Sequence, residues 1–136
     1  MIKINKDTID KLYLKASLSN RKRAHLPLHS SHYEKVQRII IAFIEDSYVD
    51  PHYHELEHQW EMFVVLEGML EVCLYDDLGN IVDTFRVGPS TDLSIIQFNP
   101  GDIHSVKCLS PKALMVEVKE GPFDEKLAKR LPDWFT

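Results

Sequence analysis

Between residues 36 and 120, short runs rich in Val, Ile, Phe, Tyr and Leu alternate with turn residues, the mark of β structure. The pattern predicts strands over 36–44, 61–67, 69–76, 81–87, 93–98, 104–109 and 113–120. Gly68 stands alone between two of them. DDLGN (76–80) reads as a hairpin turn, GPSTD (88–92) as a loop and NPGD (99–102) as a tight turn. Phe63, Val65, Val72, Leu74, Ile96, Phe98, Val116 and Val118 form the predicted core stripe. So many short, turn-linked strands in a chain this small point to an all-β sandwich or barrel.

The flanks read differently. Residues 7–19 place Ile9, Leu12 and Ala16 at helical spacing, with Asp7 or Thr8 able to cap the start. Residues 20–35 carry three histidines and a proline without a clean period, and read as an irregular arm with a short extended piece. The tail starts at the Gly121-Pro122 breaker and has a weak helical turn around 124–131, before Trp134 and Phe135 pin it to the body. The division is therefore a helix and His-bearing arm (1–35), a barrel (36–120) and a C-terminal arm (121–136), together one domain.

Composition narrows the function. At 136 residues with 44% hydrophobic and 27% charged positions, the chain suits one globular core. The net charge of -5 and the scattered basic residues give no phosphate-backbone surface, so nucleic acid is not an expected partner. The longest apolar run, IIIAFI (39–44), is too short to span a bilayer, and the start lacks a signal-peptide core, so a cytoplasmic protein is expected. Cys73 and Cys108 are too few for a disulfide scaffold and are expected as buried thiols.

Candidate chemistry concentrates at VDPHYHELEHQWEMFVVLEG (49–68). Residues two apart in a strand share a face, so His52 and His54 are expected to aim both imidazoles at one point. Glu61 opens the next strand after a returning loop, and His104 begins a distant strand directly after NPGD. Three imidazoles and a carboxylate suit one divalent transition metal ion, Fe, Mn, Zn, Ni or Co, with positions left for water or substrate. His58 reads as exposed. His25, His29 and His32 are candidates for the mouth of the site. Arg23 and Arg38 could clamp an anionic group. Cys108 shares a strand face with His104.

PHYH (51–54), Glu61 and Gly68 resemble the first cupin motif, and NPGDIH (99–104) resembles the second. The spacing from His54 to Glu61 is longer than usual, Asp46 stands where glycine is common, Asn99 replaces a proline, and Cys108 replaces a frequent asparagine. These departures point away from the plant and decarboxylase branches. Val36-Gln37-Arg38, Ser47-Tyr48-Val49, EMFVVLEG (61–68), YDDLGNIV (75–82) and EVKEGPFD (117–124) are similar to the WbuC-type cupin-fold metalloproteins, from about residue 23 to the end.

The resemblance implies a cupin double-stranded β-helix, or jelly-roll barrel, with a short N-terminal helix and a C-terminal arm. It also implies a metal bound by His52, His54, Glu61 and His104, a homodimer, and a link to surface polysaccharide or O-antigen gene sets. Arg23, His29, Arg38, Tyr48, Phe63 and Cys108 are then the candidates for substrate contact, and the ligand a small molecule, a saccharide or sugar nucleotide. Isomerase, oxygenase and decarboxylase chemistry all stay open, beside a non-enzymatic sugar or metal sensor and an Fe-dependent dioxygenase-like cupin.

Overall fold

Side-chain alternation decides which way each strand faces. In the computed structural model, which describes residues 1–135, a helix α1 (Lys6–Leu18) is followed by β1 (Arg23–Pro27), β2 (Val36–Ile44), β3 (Tyr48–His52), β4 (Glu61–Glu67) and β5 (Leu70–Tyr75). Then come β6 (Ile81–Val87), β7 (Ile95–Phe98), β8 (Ile103–Cys108), β9 (Lys112–Glu120) and a 3-10 turn at Glu125–Leu127. The strands form two antiparallel sheets, ordered β1-β2-β9-β4-β7 and β3-β8-β5-β6. Their inner faces supply one core, in which Ile41, Phe43, Phe63 and Met115 of the first sheet meet Leu70, Val72, Val87 and Val106 of the second. This is the jelly-roll arrangement expected from the sequence.

The first sheet is apolar on both faces. Ile40, Ala42 and Leu114, which point away from the barrel, pack under Leu12, Tyr13 and Ala16 of α1 in a second cluster. The helix therefore covers sheet surface that would otherwise be exposed, at roughly 25 cal/mol per Å² of apolar area. Two expectations shift here. Asn5 caps α1, its Oδ1 accepting the Thr8 N–H at 3.0 Å, so Asp7 falls in the first turn, where its charge suits the helix dipole. Val116 packs on the helix side, and Met115 is the inward residue. Because both faces of β9 carry apolar residues, period-2 alternation alone does not say which face is inner.

The arm holds a full strand. Arg23 pairs with Phe43 and His25 with Ile41, while Ala24 and Leu26 join the helix-side cluster. In the tail, Tyr53 and Arg130 exchange backbone hydrogen bonds of 3.0 and 2.9 Å, which draws the chain into a bridge and leaves only Glu125–Leu127 helical. Trp134 packs over Gly79 in the β5–β6 hairpin, 5.2 Å from the Tyr75 ring.

Asp46 takes φ +64° at the turn where related motifs place glycine, so the substitution keeps the left-handed conformation. Gly68, at φ +74°, allows no such exchange: a Cβ would run into the Lys112 carbonyl oxygen. Gly68→Ala is expected to lower unfolding free energy by more than about 1 kcal/mol. A denaturant midpoint equal to wild type would contradict this account of the β4–β5 turn.

Candidate metal centre

Each ligand-type side chain is delivered by a different local device. His52 ends β3 and lies opposite His104 of β8, across a bulge that begins after Val49. Contrary to the strand-spaced expectation, His54 lies beyond the end of β3, and its ring stands nearly perpendicular to that of His52, at 86° with centroids 5.3 Å apart. The Tyr53–Arg130 bridge holds the chain between the two. Glu61 opens β4 between Phe98 of β7 and Lys119 of β9. The Asn99–Asp102 turn sets the start of β8, and its Gly101 N–H donates to the His54 carbonyl at 2.8 Å.

The four groups meet. One potential ligand atom from each of His52, His54, Glu61 and His104 lies within 4.8 Å of the others. Backbone carbonyls fix the imidazole tautomers, because a carbonyl can only accept. His52 Nδ1 lies 2.8 Å from Asp50 O, His54 Nδ1 2.6 Å from Ala128 O, and His104 Nδ1 2.9 Å from Asp102 O. Each Nδ1 therefore carries the hydrogen and each Nε2 is left with a bare lone pair. The Glu61 Oε2 stands 3.1 Å from His54 Nε2 and 3.4 Å from His104 Nε2. His104 is 0% exposed, and its Nε2 has no hydrogen-bond partner. Phe98 stacks on the same ring at 3.7 Å and 7°.

Acceptors facing acceptors in a buried pocket repel unless a cation sits among them. A proton answers part of that need. Burial opposes protonation of His54, yet the hydrogen bond and charge of Glu61, with the Ala128 carbonyl, outweigh it and raise its pKa. His52 goes the other way, pushed down to about 4 by burial and then by His104. Burial also opposes ionisation of Glu61, but the hydrogen bond from Glu117 and the nearby His104 and His54 rings hold its carboxyl well below the ordinary range. A divalent metal fits this donor set.

The centre forms part of the wall of a cavity of about 420 Å³ between the sheets. Ile41, Phe43, Phe63, Val106 and Met115 give it an apolar floor, and Arg23, His25, Glu117 and Lys119 add polar groups. Glu117 was not anticipated as a site residue. Its inward position follows from Met115 two residues before it, once the inner face of β9 is known. Burial, then the adjacent Glu61 carboxylate, raises its pKa well above the ordinary value.

Of the other candidates, Arg23 and Phe63 line the cavity. His29 Nδ1 is tied to the Arg38 backbone at 3.0 Å, and the Arg38 guanidinium pairs with Glu34 at 2.9 Å. Tyr48 contributes its carbonyl to Arg23, and its side chain is partly exposed. Cys108 is buried in the core, with Sγ donating to Ser110 O, and Cys73 is half-buried.

A family model described as a domain of unknown function, DUF6016, matches residues 4–87. The chain belongs to the DUF6016 family. Among curated proteins none matches it. In solved structures the DUF6016 chain is similar to KdgF from Halomonas sp., at 17% identity and TM-score 0.59, covering 76% of this chain and 82% of that one. A cupin superfamily protein from Desulfitobacterium hafniense gives 15% identity and TM-score 0.56, covering 77% and 85%. CapF, solved with the inhibitor 3-isopropenyl-tropolone, gives 14% identity and TM-score 0.68, covering 83% of this chain but 32% of that one. These likenesses establish a cupin fold. No helix among the described residues is long and apolar enough to cross a membrane.

Any metal held by this DUF6016 chain must displace the His54 proton, so its affinity falls as pH drops through the raised His54 pKa. Below that pKa the expected loss is about tenfold per pH unit for one competing proton. Metal retained after dialysis across pH 8 to 5 reads this directly. Retention independent of pH would place the metal elsewhere.

Proposed function

We propose that the chain is a metal-dependent cupin enzyme acting on a small molecule in the cavity beside His52, His54, Glu61 and His104. The observation that carries this reading is the convergence of three carbonyl-fixed imidazoles and one carboxylate on a shared point. When bound there, a divalent transition metal supplies Lewis acidity with coordination positions to spare.

The chain's own residues supply the rest. Phe63 and its apolar neighbours exclude water, and Phe98 holds the His104 ring in place. Glu117, its pKa raised by burial and by Glu61, lines the cavity beside the ligand set, where it can act as general acid and then as base. Lys119 lies 3.5 Å from Glu117 and stabilises the charge left behind when that proton moves. A receptor needs no such acid, so Glu117 favours an enzyme over a sensor. The similarity of EMFVVLEG and the SYV segment to WbuC-type cupins supports a saccharide or sugar nucleotide of surface polysaccharide synthesis as substrate class.

His52→Ala and Glu61→Ala are expected to lose stoichiometric metal, read by elemental analysis of the purified protein. Glu117→Gln keeps the metal and binds substrate in a sugar-nucleotide screen, with turnover reduced by about 100-fold or more. Full metal in the first two variants would refute the centre, and full turnover in the third would remove Glu117 from the chemistry.

The same reading treats 1–35, 36–120 and 121–136 as one domain of a cytoplasmic homodimer. Ile81, Val82 and Ile95, exposed on the sheet-edge strands β6 and β7, favour self-association. Sedimentation equilibrium is expected to give twice the 15.8 kDa chain mass. A monomer at all concentrations tested would remove the dimer.

A further inference from the structure

We propose that the cavity takes an organic anion, its carboxylate or phosphate held at the mouth by Arg21, Arg23 and Lys129 while an oxygen at its other end faces the metal centre. This rests on the metal reading above for its inner end only. The three cations come from two separate segments, the start of β1 and the C-terminal tail, and all line the one cavity. Among the described residues none of them pairs with a carboxylate within 4.0 Å. Lys11, Arg38, Arg86, Lys107, Lys119 and Arg130 each do.

Seven other lysines, Lys3 and Lys126 among them, are likewise without a carboxylate within 4.0 Å among the described residues, although the chain carries 21 Asp and Glu against 16 Lys and Arg. What sets Arg21, Arg23 and Lys129 apart is that all three line one cavity. One mouth carboxylate, Glu125, shares the lining, and Asp50 acts on Arg23 through space.

Arg23 is held ready for a ligand. Its Nη1 donates to the carbonyls of Arg21 at 3.4 Å and Tyr48 at 3.2 Å, which fixes the guanidinium against the wall. Burial, then the charge of Arg21, disfavours its protonated form, and a bound anion relieves both costs. His25, two residues on along the same face of β1, lines the cavity at an exposed position, its pKa lowered to about 4 by desolvation and by Arg21, Arg23 and Lys119, and offers a hydrogen bond.

The apolar lining selects the body of the ligand. Ile41, Phe43, Phe63 and Met115 line the same cavity, and against them a fully hydroxylated neutral sugar would strand its hydroxyls. A volume of about 420 Å³ lies within the usual range for small organic ligands, and a free inorganic ion would leave most of it empty. Within the substrate class proposed above, the cavity therefore favours an anionic member, a sugar nucleotide or other acid or phosphate ester, over a neutral saccharide.

The test is calorimetric titration of the full, metal-loaded chain at low salt with inorganic phosphate, succinate and glucose. Phosphate or succinate is expected to bind and glucose not, and the stronger of the two anions tells phosphate ester from carboxylate. Arg21→Ala and Lys129→Ala, both at exposed positions, should each weaken the anion by about threefold to tenfold. Arg23→Ala should weaken it further, with Arg23→Lys recovering part of the loss. Elemental analysis should show unchanged metal in all four variants.

Anion affinity equal to wild type in the Arg21 and Lys129 variants would overturn the proposal, as would no anion binding at all or equal binding of glucose. Anion binding by wild-type chain that holds no metal, lost in the same variants, would uphold the mouth while removing the metal centre.

Discussion

Three imidazoles, two buried and that of His54 half-buried, donate their Nδ1 hydrogens to backbone carbonyls, and this constraint dictates the rest of the site. It spends the one hydrogen a neutral imidazole has, so each Nε2 must face the cavity wall as an acceptor. Placing Glu61 among three such acceptors is unfavourable in an apolar barrel without a cation. The geometry therefore makes sense for a loaded protein. The raised pKa of His54 and the unpartnered Nε2 of His104 are two signs of the same unmet need.

The carbonyls that fix the rings come from different parts of the chain. Asp50 and Asp102 each lie two residues before the histidine they hold, so β3 and the NPGD turn orient His52 and His104 locally. His54 has no such neighbour. Its partner, Ala128, lies in the tail, which is anchored by the Tyr53–Arg130 bridge and the Arg130–Glu55 pair at 2.8 Å. The tail also brings Lys129 to the mouth. One short segment thus orients a ligand and charges the entrance, which couples the order of the C-terminus to the chemistry of the centre.

Much of this was legible from the residues. All seven expected strands are present with edges displaced by at most two residues, because alternation and turn residues agree there. The four ligand-type residues were legible because His, Glu and turn spacing single them out. What escaped has a common cause. β1 carries Arg23 and His25 inward, and β9 carries Glu117 inward, so each breaks the rule that the apolar positions mark the inner face. A strand with polar residues toward a cavity looks like an irregular arm until pairing with β2 reveals it. His29 offered the same residue type as His25, but the chain seats it on the Arg38 backbone, and nothing in composition separates the two.

Inward polar residues also explain why the cavity exists. A jelly roll this small fills its interior when every inner position is apolar, as it does around Leu70, Val72 and Val87. Toward the other end, Arg23 and His25 of β1 and Glu117 and Lys119 of β9, the two strands that flank β2, line the cavity. Polar groups do not close on one another as aliphatic side chains do, since each needs a hydrogen-bond partner, water or a ligand to satisfy it. The barrel is consequently dry and packed at one end and open at the other. The four acceptors sit at the boundary, where the apolar wall strengthens their pull on a cation and the opening lets a substrate reach it.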